Sequence, residues 1–143
     1  RIYGDPTVFP DYVAHLRRLA DPSNTFFEGP VPNEEVGRVL AETDVIVVPS
    51  LWYENSPVVI REAFAAGVPV IASRIGALAE KVHHNANGLL FAPNDPAALR
   101  RTIHLLAGDP GLIQRFRTQI PQALTVEEHA NVLEKIYTEG RIK

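Results

Sequence analysis

The sequence predicts an α/β domain built on a doubly wound parallel sheet with helices on both faces. Three observations carry this. Short apolar runs alternate along the chain with segments of helical spacing. The run Asp44-Val-Ile-Val-Val is β-branched throughout its apolar part and reads as a strand buried on both faces. Residues 44–73 as a whole read as strand, loop, helix, turn, strand, a βαβ unit whose strands should lie parallel.

Each element has its own local reason. Arg1-Ile-Tyr-Gly reads as the tail of a strand. Pro10 or Asp11 opens a helix with Tyr12, Val13, Leu16 and Leu19 at helical spacing. Thr25-Phe-Phe-Glu is a short strand. Asn33 should cap a helix to about Glu42, with Glu34 and Glu35 suiting its positive end. In the βαβ unit Pro49-Ser50 ends the first strand. Ser56 is the expected N-cap of the helix, Pro57 fits its first turn, and Gly67 fits its C-terminal stop. Val68-Pro-Val-Ile-Ala reads as the second buried strand. Residues 77–82 form a short helix, 83–87 a polar turn and 88–91 a strand. Asp95 caps a helix to about Ala107, and Pro110 or Gly111 opens another to about Arg117. Thr125-Val-Glu-Glu has capping-box spacing before a helix expected to bury Val126, Ala130, Leu133 and Ile136.

Composition narrows the function classes. The chain has 143 residues, 45% hydrophobic and 22% charged, enough for one domain with a real core. A net charge of -3 gives no electrostatic footprint for nucleic acid or an anionic membrane. Zero Cys excludes disulfides and thiolate metal sites and fits a reducing compartment, so a cytoplasmic location is expected. No apolar run is long enough to span a bilayer. Any membrane attachment is left to parts outside this chain.

The chemistry concentrates between Asp44 and Ser73. In parallel α/β sheets, ligands gather at the carboxyl ends of the strands. There a helix N-terminus offers unpaired N–H donors and a partial positive charge, which suits a phosphate. The Val58 and Val59 amides would supply those donors. Glu62 lies near the end of the second helical turn, where a carboxylate can accept two hydrogen bonds from a vicinal diol such as ribose. Glu54 precedes the helix and can point across the strand end. The spacing of the two acids alone arises easily by chance, and solvated helix-end charges would explain it equally.

The residues around them add what spacing cannot. Glu54, seven residues, Glu62, then Ala63-Phe-Ala-Ala-Gly-Val-Pro-Val-Ile-Ala-Ser resembles the E-x7-E signature of retaining two-domain glycosyltransferases of the GT-B fold, family 4, group 1. Thr25-Phe-Phe-Glu-Gly-Pro-Val resembles the strand and loop that meet the donor base. Ile75-Gly-Ala-Leu-Ala-Glu is similar to that family's glycine-containing loop, and Asn87-Gly-Leu-Leu-Phe-Ala-Pro-Asn-Asp to its closing strand and helix. The likeness runs over roughly residues 1 to 120, in order. It implies a Rossmann-like C-terminal donor-binding domain over 1–143, and an enzyme of the hexosyltransferase type.

The resemblance assigns roles residue by residue. Glu54 is the catalytic acid that contacts the transferred sugar. In the family this acid is read either as stabilising positive charge on the anomeric carbon or as a direct nucleophile, and a nearby carboxylate does the former by Coulomb attraction. Asn55, Ser56 and Pro57 face the donor sugar, where many relatives carry Gly-Phe-Gly. Val58 and Val59 meet the diphosphate and Glu62 the ribose. Gly29, Pro30 and Val31 border the base, with Pro30 removing one N–H donor. No Asp-x-Asp clamp is present, so no metal and no cofactor are expected; the nucleotide-diphosphate sugar is the substrate.

The resemblance also predicts what the chain lacks. The family's donor domain begins with a further strand and a loop carrying an Arg and a Lys for the diphosphate, and neither lies upstream of Arg1. That strand would sit between the one ending at Tyr3 and the one at 44–48, leaving unpaired edges through which chains could self-associate. The chain is therefore expected to be a partial domain lacking its first strand. Its partner would be an N-terminal acceptor domain, without which it binds nucleotide weakly and catalyses nothing. Two other classes fit the fold, a sugar-nucleotide epimerase and a non-catalytic interaction module.

Other residues have plainer readings. His15, His83, His84, His104 and His129 show no metal-ligand spacing, and His83-His84 reads as an exposed turn. Arg100, Arg101, Arg115 and Arg117 read as solvated helix faces. Trp52 and Tyr53 either cover the sugar or wall the pocket. Glu80 reads as a local structural group, and Gly76 as a point of close backbone approach.

Overall fold

The protein is described here by a computed structural model covering residues 1–122 and 124–140. It divides into two compact units, Arg1–Val39 and Leu40–Lys143.

In the first unit β1 (Ile2–Tyr3) pairs in parallel with β2 (Phe27–Gly29), and α1 (Pro10–Leu19) connects them. Helix α1 opens on proline, carries Asp11 in its first turn and Arg17 and Arg18 in its last, each suited to its end of the helix dipole. The Arg17 guanidinium lies 5.4 Å from the centroid of the Phe27 ring and ties α1 to β2. Strand β2 starts two residues later than the sequence predicts. The Asp21 carboxylate accepts from the Ser23 N–H and hydroxyl, the Thr25 N–H donates to Asp21 O, and this turn holds Thr25 out of the ladder. Asn33 is not a helix cap either. It begins a 3₁₀ turn, Asn33–Glu35, closed by Glu35 N–H donating to Pro32 O at 2.9 Å, and α2 (Val36–Ala41) follows.

The second unit holds the larger sheet. Strands β3 (Ile46–Val48), β4 (Val70–Ser73) and β5 (Gly88–Phe91) lie in that order, all parallel, with α3 (Val58–Ala65) and α4 (Gly76–Lys81) as the connections. Every residue of β4 and β5 is buried. Strand β3 is an edge, and the expectation of burial on both faces fails there: Val47 is 40% exposed. Among the described residues no ladder joins β1 to β3, and each is an edge of its own sheet.

Two glycines set the spacing. Gly67, at φ +70°, ends α3 in a left-handed turn. Its N–H donates to Phe64 O and the Val68 N–H to Ala63 O, a complete Schellman closure that turns the chain into β4. At Gly88 the β4 backbone comes so close that a Cβ would lie 2.0 Å from Val70 O.

Helices α5 (Pro96–Gly108) and α6 (Pro110–Thr118) cover the core. Asp95 and Asp109 cap them by accepting from the Ala98 and Leu112 N–H groups. Leu106 and Phe116 pack with Ile71, Leu89 and Phe91, and burying a side chain of Phe116's size contributes roughly 1.5–3 kcal/mol. Arg117 is not on a solvated face. It is half-buried, and its Nη2 donates to the Asp44 carboxylate at 3.3 Å just before β3. Helix α7 (Val126–Glu139) starts with the predicted capping box: the Glu128 N–H donates to Thr125 Oγ1 and the Thr125 N–H to Glu128 Oε2. Its predicted burial does not occur. No residue of α7 is buried, and Val126 is 90% exposed.

Candidate active site at the strand ends

Strands β3 and β4 are parallel neighbours, so the connections 49–57 and 74–75 leave from the same edge of the sheet, at the strands' carboxyl ends. Pro49 has no N–H and ends the ladder. The half-buried Glu54 then lies within reach of Ser50, whose hydroxyl donates to Glu54 Oε1 at 2.9 Å. The carboxylate is thus anchored through one oxygen to the residue that leaves the strand. Sequence spacing does not reveal this bond, because Ser-x-x-x-Glu has no preferred geometry in an irregular loop.

Asn55 and Ser56 are exposed and Pro57 is buried. Ser56 does not cap α3. Pro57 is the N-cap, in extended conformation at φ -66° and ψ 106°, and no side chain satisfies the first turn. With the helix starting at Val58, the Ser56 hydroxyl is one residue too far back for a cap. The Ile60 N–H donates to Pro57 O at 3.2 Å, while the Val58 and Val59 N–H groups occupy the two positions that have no intrahelical acceptor. Glu62 follows at four and three residues from them and so shares their helix face. Val58 is 61% exposed there, while Ile60 and Ala63 are fully buried. The helix therefore offers two open amides at its N-terminal end and an exposed carboxylate about one turn further on.

Trp52 and Tyr53 are 67% and 81% exposed. Tyr53 nevertheless has a contact that the sequence does not disclose. Its ring rests on Gly76, where a Cβ would lie 2.9 Å from Tyr53 Cδ1, and Gly76 has φ +46°. The close backbone approach expected of Gly76 is this one.

Gly29, Pro30 and Val31 lie in the first unit. Gly29 closes β2 at φ +81°, and its carbonyl accepts from the Gly4 N–H at 2.9 Å. Gly29 and Val31 are half-buried and Pro30 is exposed.

The remaining candidates lie elsewhere. Glu80 lines a groove of about 650 Å³ together with Arg61, Phe64, Lys81 and His83. His84 sits in the predicted turn, yet its Nδ1 accepts from the Leu90 N–H at 3.0 Å, a bond that only the neutral ring can accept. Burial, and secondarily the Arg74 charge, hold its pKa below the ordinary histidine value. Asn87 is fully buried and organises the same turn by accepting from the His83 N–H at 2.8 Å. Among the described residues no three His, Cys, Asp or Glu side chains gather as a metal site, and no helix is long and apolar enough to cross a membrane.

The chain is similar to known proteins over much of its length. Over 101 residues the chain is 37% identical to a glycogen synthase of Mycobacterium tuberculosis, covering 71% of this chain and 24% of the relative. It is 36% identical over 90 residues to D-inositol 3-phosphate glycosyltransferase of Streptomyces bingchenggensis, covering 63% of this chain and 20% of that protein. The chain thus spans well under a third of these curated relatives. Sucrose-phosphate synthase of Thermosynechococcus elongatus superimposes with a TM-score of 0.73 at 29% identity, over 91% of this chain and 33% of its own. Anabaena HepE, solved with UDP and glucose, superimposes with a TM-score of 0.77 at 24% identity, over 95% of this chain and 39% of its own, and shows the shared Rossmann-like fold. Residues 1–109 match the family described as Glycosyl transferases group 1, and the chain belongs to that family.

Proposed function

We propose that this chain is the donor-binding part of a retaining glycosyltransferase of the hexosyl type. The observation that carries the reading is the strand-end arrangement: Glu54, anchored by Ser50, one short loop ahead of an uncapped helix that carries Val58, Val59 and Glu62 on its exposed face. The relatives' names and the presence of UDP and glucose with HepE support a nucleotide-diphosphate sugar as donor. The Val58 and Val59 N–H groups hold the diphosphate with the help of the helix dipole. Glu62 accepts from the ribose hydroxyls. Asn55, Ser56 and Pro57 border the sugar, and Gly29, Pro30 and Val31 the base.

The reaction breaks the bond between the anomeric carbon and the diphosphate oxygen, and the nucleoside diphosphate leaves with that electron pair. Positive charge develops on the anomeric carbon, and Glu54 stabilises it by Coulomb attraction where water is excluded. The acceptor hydroxyl forms the new bond on the face the phosphate leaves, and its proton passes to the leaving phosphate oxygen. Retention follows from that shared face. Cationic support for the diphosphate and the acceptor site belong to further parts of the enzyme.

The test is donor binding and product analysis in the full-length enzyme. Glu62→Gln replaces an anionic acceptor and should weaken nucleotide-diphosphate affinity by about 1.5–3 kcal/mol, read by calorimetry. Unchanged affinity would count against the ribose assignment. The product anomer, read by NMR coupling constants, should match the donor's; an inverted product would refute the retaining mechanism. Release of nucleoside diphosphate on adding acceptor separates transfer from epimerisation.

A further inference from the structure

The connection 49–57 has no regular structure of its own, yet it carries the carboxylate on which the proposed reaction depends. Such a loop has to be held, since a displacement of about 1 Å at a reacting group can cost about 100-fold in rate. Two contacts hold this one. At its start, the Ser50 hydroxyl donates to Glu54 Oε1 at 2.9 Å. In its middle, Tyr53 reaches from the end of β3 to the start of α4, where its ring lies on Gly76.

The second contact has an unusual basis. Gly76 is required twice over: its φ of +46° is a left-handed conformation that other residues adopt only with strain, and a Cβ there would stand 2.9 Å from Tyr53 Cδ1 and 3.7 Å from both Cγ and Cε1. The Cδ1 edge of the ring therefore points at bare backbone, in a place that exists only because residue 76 has no side chain. Tyr53 is otherwise largely open to solvent, at 81% exposure. Glu54 is the next residue in the chain, so whatever fixes Tyr53 limits where the carboxylate can go.

We infer that Tyr53 is a positioning residue: its ring, seated on Gly76, clamps the β3–α3 connection to the start of α4 and so, with Ser50, fixes Glu54 at the strand ends. The inference rests on the reading of Glu54 as the carboxylate of the reaction. The clamp itself is a matter of packing and can be tested apart from it.

Three variants of the full-length enzyme decide the matter: Tyr53→Ala removes the ring, Gly76→Ala evicts it, and Tyr53→Phe keeps it. The first reading is the NMR backbone order parameter over 50–56, which needs no knowledge of the natural donor. Tyr53→Ala and Gly76→Ala should each lower it to below about 0.6, and Tyr53→Phe should restore the wild-type value. Order parameters unchanged in both alanine variants would overturn the clamp. The second reading is turnover with the best donor among UDP-glucose, ADP-glucose and GDP-mannose. Both alanine variants should lower kcat about 10- to 100-fold with donor KM within about twofold, and Tyr53→Phe should rescue kcat. A raised KM with kcat unchanged would make Tyr53 a donor contact and overturn the positioning role. Tyr53→Ala carries the test of the contact itself, because Gly76→Ala also strains a left-handed backbone at the start of α4. Glu54→Gln separates the two claims: full activity in that variant would defeat the role of Glu54, while the order-parameter result would still stand or fall alone.

Discussion

Helices α6 and α7 begin alike and end differently. Each starts with a side chain that accepts from its own first turn, Asp109 in one and Thr125 in the other. Helix α6 then buries Phe116 to 1% exposure against β4 and β5, whereas α7 buries nothing. The difference separates what makes a helix from what makes it matter to the fold. A cap and a suitable pattern form the turn locally; only a partner surface turns that pattern into stability.

The sharpest way to break the comparison is to remove the buried ring. Phe116→Ala should cost about 3–5 kcal/mol by chemical denaturation, and a loss below about 1 kcal/mol would mean that α6 is no better anchored than α7. Gly88→Ala comes next, at about 3 kcal/mol, since its Cβ would meet the Val70 carbonyl and strands β4 and β5 would have to separate. Thr125→Ala should cost α7 about 1 kcal/mol, seen as faster amide exchange in its first turn with little change in the global midpoint. Leu133→Ala should change stability by less than about 0.5 kcal/mol; a larger effect would show that α7 has a partner after all.

Two pH effects sharpen the picture further. The Thr125 N–H and hydroxyl hold the Glu128 carboxyl below its ordinary value. The capping box is therefore fully present above the usual glutamate pKa, and it is lost as pH falls through the lowered one. His84 runs in the same direction at higher pH. Its lowered pKa means that its contribution is complete above the ordinary histidine value and fades as pH falls toward the folded value. The protection factor of the Leu90 amide, whose acceptor is His84 Nδ1, should fall as the ring protonates, and a protection factor unchanged with pH would refute it.

Much of the fold was legible because its determinants are local. Asp95 at a helix start, the Thr125–Glu128 box and Gly67 after α3 each act over a few residues, and each sits where its chemistry predicts. Ser56 and Asn33 misled because a cap residue is a cap only in register with the first turn, and a proline took that place in both cases: Pro57 before α3 and Pro32 before the 3₁₀ turn. The apolar run at 45–48 does not disclose whether its strand is central or an edge, since that depends on a neighbour distant in sequence. At the candidate site, the spacing of Val58, Val59 and Glu62 was readable from helical periodicity. The anchoring of Glu54 by Ser50 and the seat of Tyr53 on Gly76 were not, because irregular loops have no period to read.

The order β3-β4-β5 has a consequence for how the chain folds. Each ladder joins strands that are separated in sequence by one helix, so no pairing has to wait for a distant segment. Loop closure costs grow only with the logarithm of length, so both ladders are about equally accessible, and β4 is the strand common to both. Assembly should therefore nucleate on β4, with Ile71 gaining contacts on both sides before the rate-limiting barrier is passed. A modest trim such as Ile71→Val would then slow folding more than it speeds unfolding, while changes on α7 would leave the folding rate untouched.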